Sequence, residues 1–258
     1  MLTVRTAQSN PLGRFYLAGT DPGDMDKQDL RERVWDELEA SGEARFPFPP
    51  HGRIPNFAGA GEAADRLADT DAWREAEAVK SNPDAPQLPV RRRALREGKT
   101  VYMAVPRLRE AECFVELDPV VLKDTDAAAT VSGMDEHGRQ VGPDAMPPID
   151  LVVSGSVAVD GSGNRVGKGE GYSDLEWGVL SELGLVGAET PVVTTVHELQ
   201  VREEDWTTDA HDVPMDRVVT PERVVETGAS GKPEGIDWEA LSAERLEEIP
   251  VLRDLARN

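Results

Sequence analysis

Residues 149–159, IDLVVSGSVAV, form an apolar run that leads through a glycine-studded loop, DGSGNRVGKGEGY, into an amphipathic stretch, SDLEWGVLSELG. Strand, glycine loop and helix N-terminus in that order constrain the fold more than any other part of the chain. The order belongs to α/β proteins, and it makes a place for phosphate. Glycines let main-chain N–H groups approach anionic oxygens, the helix dipole favours negative charge, and Arg165 and Lys168 supply counter-charge. A plainer account covers the helix start. Ser173 as N-cap with Glu176 three residues on makes a capping box, with Tyr172 against Trp177 as a hydrophobic staple and Asp174 as a first-turn acid. Capping leaves Gly167, Gly169 and Gly171 unexplained, because repeated glycines cost conformational entropy that a simple turn does not require. The loop is therefore read as a phosphate site.

The rest of the chain fits around this unit. From Asp29, Leu30, Val34, Trp35 and Leu38 recur at helical spacing, and the helix ends near Ser41 and Gly42. Residues 47–57, PFPPHGRIPNF, are irregular, with aromatic and basic members. A helical stretch over 61–79, a loop at 81–89 and a helix at 90–99 precede a strand at 100–108. Residues 123–148 read as an acidic surface insertion, further strands fall at 191–199 and 217–220, and 236–255 is mostly helical. Strands alternating with helices predict an α/β fold of three layers: an open, mostly parallel sheet with helices on both faces. Residues 1–24 lack periodicity and precede Met25. They are expected to be a disordered extension of a single domain over 25–258, whose tail from about 236 is helical.

Charge narrows the setting. Asp and Glu outnumber Lys and Arg 49 to 28, a net of −21 spread along the chain. Diffuse acidity of this kind suits high salt, where screening weakens self-repulsion, so a halophile's cytoplasm is the expected location. It also disfavours nucleic acid as a partner, since backbone affinity comes from basic patches. No run of about twenty apolar residues exists, which excludes a membrane-spanning helix. The single cysteine, Cys113, is expected to pack as a small apolar residue beside Phe114. Residues 80–99 break the acidic trend, with Lys80, Arg91, Arg92, Arg93, Arg96 and Lys99 against Asp84 and Glu97. Two accounts stand side by side: a solvated helix face whose last-turn cations complement the dipole, or an anion site. Asp174 and Asp212 are a candidate pair for a hard cation such as Mg²⁺, provided the fold brings their two loops together.

The run from Gly155 through Ala158, Asp160, Gly163, Arg165 and Tyr172 to Asp174 resembles the hallmark of the 5-formyltetrahydrofolate cyclo-ligase family, the methenyltetrahydrofolate synthetases. Lys27 and Arg31 are similar to the family's N-terminal K-x-x-x-R. The phrases GRIPNFAGA, KSNPDAP, KGEGYSDLE and PVVTTVHELQV further resemble the archaeal and eukaryotic branch, the methenyltetrahydrofolate synthetase domain-containing proteins. The resemblance implies a fold like the sugar-phosphate isomerase and CoA-transferase group. It also implies an ATP- and Mg²⁺-dependent ligase that converts 5-formyltetrahydrofolate to 5,10-methenyltetrahydrofolate. Carried over by position, Lys27, Arg31, Arg165, Gly167, Lys168, Gly169, Gly171, Tyr172 and Ser173 would hold ATP, with Arg165 and Lys168 catalytic, and Asp174 and Asp212 would bind the metal. Lys80, Arg91 and Tyr172 are the candidates for the substrate, a folate or another anionic small molecule taken by a monomer. The chain departs from the family in two places. The glutamate of the S-E-x-x-T stretch that grips the pterin is missing from residues 80–93, and Ser173 replaces the second tyrosine of G-Y-Y-D. Another anionic substrate, or a non-catalytic nucleotide- or RNA-binding role, is the alternative these departures keep open.

Overall fold

The computed structural model describes residues 25–257; the expected extension over 1–24 lies outside them. In chain order the elements are α1 (Lys27–Ser41), β1 (Ala44–Arg45), β2 (Asn56–Phe57), α2 (Ala60–Ala68), α3 (Asp71–Glu75), β3 (Ala78–Ser81), α4 (Leu88–Arg96), β4 (Thr100–Ala104), β5 (Phe114–Leu117), α5 (Thr125–Ala128), α6 (Val131–His137) and β6 (Arg139–Val141). The second half contributes β7 (Leu151–Val153), β8 (Ala158–Asp160), β9 (Arg165–Val166), α7 (Tyr172–Glu182), β10 (Val192–Thr195), β11 (Val201–Arg202), β12 (Arg217–Val219), β13 (Val224–Glu226), α8 (Ala243–Glu248) and α9 (Pro250–Leu255).

An eight-stranded sheet in the order β13-β12-β10-β7-β3-β4-β5-β6 forms the centre. Its five middle strands are parallel, and β13, β5 and β6 close the two edges antiparallel. The inner strands β3, β7 and β10 are buried at every residue, as a parallel sheet covered by helices on both faces requires. A single large core joins the sheet to α2, α4, α7 and α9. The mostly parallel α/β architecture expected from the sequence is the one observed.

A small sheet, β11-β8-β9, stands apart from the main one. Against it α1 lays Leu30, Val34, Trp35 and Leu38, all buried with Val157, Ala158 and Val166. Each such side chain stabilises the seat of α1 by about 1.5–3 kcal/mol. Asp26 caps the helix by accepting from the Gln28 and Asp29 N–H groups, and Gly42 ends it at φ 76°. This packing fixes Lys27 and Arg31 beside the glycine loop.

Several expected elements differ in detail. The apolar run at 149–159 is two strands in two sheets, parted at Ser154-Gly155-Ser156, where the chain leaves the main sheet. The helical stretch at 61–79 is α2, α3 and then β3, a central strand. Four residues with a lysine among them carry too little period-two signal to announce a buried strand. Residues 123–148 are no detached insertion: they supply α5, α6 and the edge strand β6. The strand at 100–108 stops at Ala104, and helix in the tail begins only at Ala243.

Candidate functional site

Strands β3 and β7 are neighbours, yet the chain moves from β3 outward to β4 before returning to β7 on the other side. The strand order therefore reverses between β3 and β7, and in open α/β sheets the crevice at that switch, beyond the carboxyl ends of the strands, is where ligands bind. A cleft of about 350 Å³ lies there. Asn82, Pro83 and Asp84 after β3, Val105 to Arg107 after β4 and Gly155 after β7 line it, facing the loop from Gly167 to Asp174.

That loop has an unusual main chain. Among the described residues none accepts from the N–H groups of Gly167 through Asp174; the first such donor in α7 is Leu175, to the Gly171 carbonyl. Gly169 at φ 101° and Gly171 at φ 69° supply the turns that an L side chain resists. Seven of these eight residues, all but Gly169, line the cleft beside the helix N-terminus, an arrangement that suits a phosphate or other polyanion. The capping box expected at Ser173 does not form, because α7 starts two residues earlier, with Gly171 as its N-cap. Ser173 Oγ instead lies 2.8 Å from Ser154 Oγ, and Glu176 turns inward.

Side chains from three elements hold the loop. Arg31 Nε donates to the Gly167 carbonyl at 2.7 Å. Arg165 Nη2 donates to both oxygens of Asp174 at 2.7 Å, and its Nη1 to the Gly155 carbonyl at 2.9 Å. Burial opposes the Arg165 charge, but Asp174 and then Asp212 outweigh it and hold the guanidinium above its ordinary value. Its Nε is buried in the cleft wall without a hydrogen-bond partner. Lys168 is half-exposed at the rim and pairs with Glu170 at 2.7 Å. Arg245 of α8 lies 5.1 Å from the Tyr172 ring centre and also donates to the Glu170 carbonyl.

Beside the loop, Lys27 Nζ sits 2.8 Å from both Asp209 Oδ2 and Asp212 Oδ2. Burial works against its charge, but the two carboxylates raise its pKa overall, and Lys27 in turn draws Asp209 down. Val213 N–H donates to Asp174 Oδ1 at 3.1 Å, so the loops of Asp174 and Asp212 do meet. Among the described residues the group with metal-ligand spacing is Asp209, His211 and Asp212; Asp174 is not in it.

The two cations singled out for substrate are both buried. Lys80 is 1% exposed and forms an ion pair with Glu176 of α7 beneath the cleft. Arg91 is equally buried and donates to the carbonyls of Ala129, Asn82, Pro83 and Asp84, bracing the cleft floor. The rest of that basic stretch is also committed: Arg93 to Asp65 and Glu97, Arg96 to Asp126, Lys99 to the Ala76 carbonyl. Only Arg93 and Arg96 fit the account of a solvated helix face with last-turn cations; Lys80, Arg91 and Lys99 are buried. Sequence reasoning passed over Asp84, Asn82 and Arg107. Asp84 and Asn82 stood inside the KSNPDAP phrase, whereas nothing local announces Arg107, whose φ of 60° strains the turn after β4.

Fold and site together define an α/β protein with an N–H-lined loop at the switch point of its sheet. The family model of the 5-formyltetrahydrofolate cyclo-ligase family matches residues 24–221, and the chain belongs to that family. Methenyltetrahydrofolate synthase domain-containing proteins of Mus musculus and Homo sapiens are 44% and 41% identical over 236 residues. These alignments cover 90% of this chain but only 63% and 61% of the relatives' length. The NMR structure of Aquifex aeolicus 5,10-methenyltetrahydrofolate synthetase superposes with a TM-score of 0.51 at 20% identity, covering 84% of this chain and all of that one.

Proposed function

We propose that the chain is an ATP- and Mg²⁺-dependent ligase that closes 5-formyltetrahydrofolate to 5,10-methenyltetrahydrofolate, releasing ADP and phosphate. The observation that carries this is the run of eight unpaired N–H groups from Gly167 to Asp174, set in the switch-point cleft between Arg31, Arg165 and Lys168. The donor set fits a triphosphate: main-chain N–H groups, three cations nearby and the orphaned Arg165 Nε. Bound ATP supplies the phosphoryl group that turns the formyl oxygen into a leaving group.

The chain's own residues position and neutralise. Gly167, Gly169, Gly171, Tyr172 and Ser173 present their N–H groups to phosphate oxygens, while Arg165 and Lys168 offset the charge that develops on the transferred group. Arg31 fixes the loop through the Gly167 carbonyl. Asp174, clamped by Arg165, orients that guanidinium. Asp212 and Asp209 offer carboxylates to a divalent ion, and Lys27, which now neutralises them, is within reach of the same phosphates.

Absorbance of methenyltetrahydrofolate formed from 5-formyltetrahydrofolate and Mg·ATP, followed in molar KCl, tests the reading. Lys168→Ala is expected to lower the rate about a hundredfold, the usual loss for one charge-stabilising donor. A wild-type protein that neither turns over nor gains melting temperature with Mg·ATP refutes it. A second reading, the same activation applied to another anionic substrate, is favoured by the glutamate missing from 80–93. It is indicated if Mg·ATP raises the melting temperature while the folate stays unchanged.

A further inference from the structure

Two arginines from opposite ends of the chain each grip one carbonyl of the glycine loop. Arg31 of α1 takes the Gly167 carbonyl, and Arg245 of α8 takes the Glu170 carbonyl. Arg31 belongs to the K-x-x-x-R stretch near the N-terminus. Arg245 lies on the tail, beyond residues 24–221 that the family model matches. The tail holds it in place. Ser242 Oγ accepts from the Arg245 N–H at 3.2 Å and caps α8, and a turn further on Ile249, Val251 and Leu252 are buried in the main core. The guanidinium stands 5.1 Å from the centre of the Tyr172 ring, within the range where a cation is drawn to a ring face.

Both gripped peptides are trans, since the cis bonds among the described residues are Phe46-Pro47 and Phe48-Pro49. In a planar trans peptide the carbonyl and the following N–H point in opposite directions. A grip on the Gly167 carbonyl therefore turns the Lys168 N–H the other way, and a grip on the Glu170 carbonyl does the same for the Gly171 N–H. Lys168 and Gly171 line the first cleft, whereas neither arginine does. The peptide between Glu170 and Gly171 has most need of a grip. Gly169 at φ 101° and Gly171 at φ 69° flank Glu170, and glycine lets its peptides rotate at little steric cost. Turned over, that peptide would set a carbonyl oxygen, and its partial negative charge, where an anion has to sit.

We propose that Arg245 is a positioning residue for the glycine loop: it holds the Glu170 carbonyl outward and so keeps the Gly171 N–H, at the N-cap of α7, aimed into the cleft. The C-terminal tail thereby becomes part of the anion site without touching the ligand. Its effect on nucleotide binding rests on the phosphate reading above; the orientation of the peptide does not.

Two substitutions separate the donor from the stem. Arg245→Met keeps an apolar stem over Tyr172 and removes the donors, and Arg245→Lys keeps a cationic donor. Titration calorimetry with Mg·ATP should show binding about tenfold weaker in Arg245→Met, the range for one charge-assisted hydrogen bond. Arg245→Lys should return to within about threefold of wild type, since it restores such a bond. The melting temperature without nucleotide should stay within about 2 °C of wild type, as for other surface substitutions. Nitrogen-15 relaxation of the nucleotide-free proteins supplies a readout that lost packing alone would not move. The Gly171 N–H order parameter should be about 0.85 in wild type and Arg245→Lys and below about 0.6 in Arg245→Met. The Lys168 N–H, held through Arg31, should stay rigid in all three. Arg253→Met, an exposed change on the same tail, should alter neither affinity nor order. Mg·ATP affinity undiminished in Arg245→Met, or a Gly171 N–H equally ordered in wild type and Arg245→Met, overturns the proposal. So does an Arg245→Lys protein as weak as Arg245→Met. A wild type that binds no Mg·ATP, yet whose Gly171 N–H loses order in Arg245→Met, sustains the positioning role and removes the phosphate reading.

Discussion

Lys80→Met strikes the buried pair that joins β3 to α7. Lys80 is 1% and Glu176 5% exposed, and their partners are each other. Removing one member of such a pair leaves an uncompensated charge in a low-dielectric interior, at about 3–5 kcal/mol. For a domain of this size each kcal/mol moves the melting temperature by roughly 2–4 °C, so Lys80→Met should lower Tm by roughly 6–20 °C. Replacing both members by apolar groups removes the orphan charge, and such exchanges are close to neutral. Lys80→Met combined with Glu176→Leu should therefore recover most of the loss. Thermal unfolding followed by circular dichroism reads both effects, and Mg·ATP affinity of the folded Lys80→Met protein should stay within threefold of wild type. A Tm fall under about 3 °C, or a double variant as unstable as the single one, refutes the account. If nucleotide or folate affinity collapses while Tm holds, Lys80 contacts ligand and its burial has been misread.

Gly169→Ala forces an L side chain to φ 101° and sets a methyl group 3.5 Å from the Arg31 guanidinium carbon. About 1–2 kcal/mol of strain should deform the loop and abolish most of the Mg·ATP-induced rise in Tm, whereas Gly161→Ala, whose methyl meets nothing within 4 Å, should leave that rise intact. Glu204 bears on acid stability: Arg202 is the main cause that lowers its carboxyl from 4.5 to about 2. A carboxyl depressed in the folded state stabilises fully above its unfolded pKa and loses that contribution as pH falls from 4.5 toward 2. With the pair partly exposed, Glu204→Gln should cost about 1 kcal/mol at neutral pH and flatten the stability profile over that window; urea midpoints that run parallel for both proteins would contradict this.

The fold was legible where the pattern was local and long. Leu30, Val34, Trp35 and Leu38 gave α1 by period alone, and the apolar runs at 149–159 and 191–199 gave β7 and β10 of the parallel sheet, with β8 beyond it in the small one. The glycine loop was legible for the same reason: Gly169 and Gly171 meet a backbone requirement that no packing arrangement needs to explain. Ser173 misled because a capping box is a local pattern too, and the positive φ available to Gly171 moved the helix start by two residues.

What composition and spacing could not state is which charges face each other. Lys80 and Glu176 are 96 residues apart, and Lys27 reaches Asp212 across 185 residues. Burial and pairing turn a cation from ligand to strut, and both depend on contacts distant in sequence. Amino-acid order alone determined the α/β class and the position of the glycine loop, because backbone conformation and hydrophobic period act over a few residues. The tertiary structure alone decided that Lys80 is buried against Glu176 and that Arg91 is buried against the carbonyls of the loop after β3, because electrostatic interaction acts through space and not along the chain.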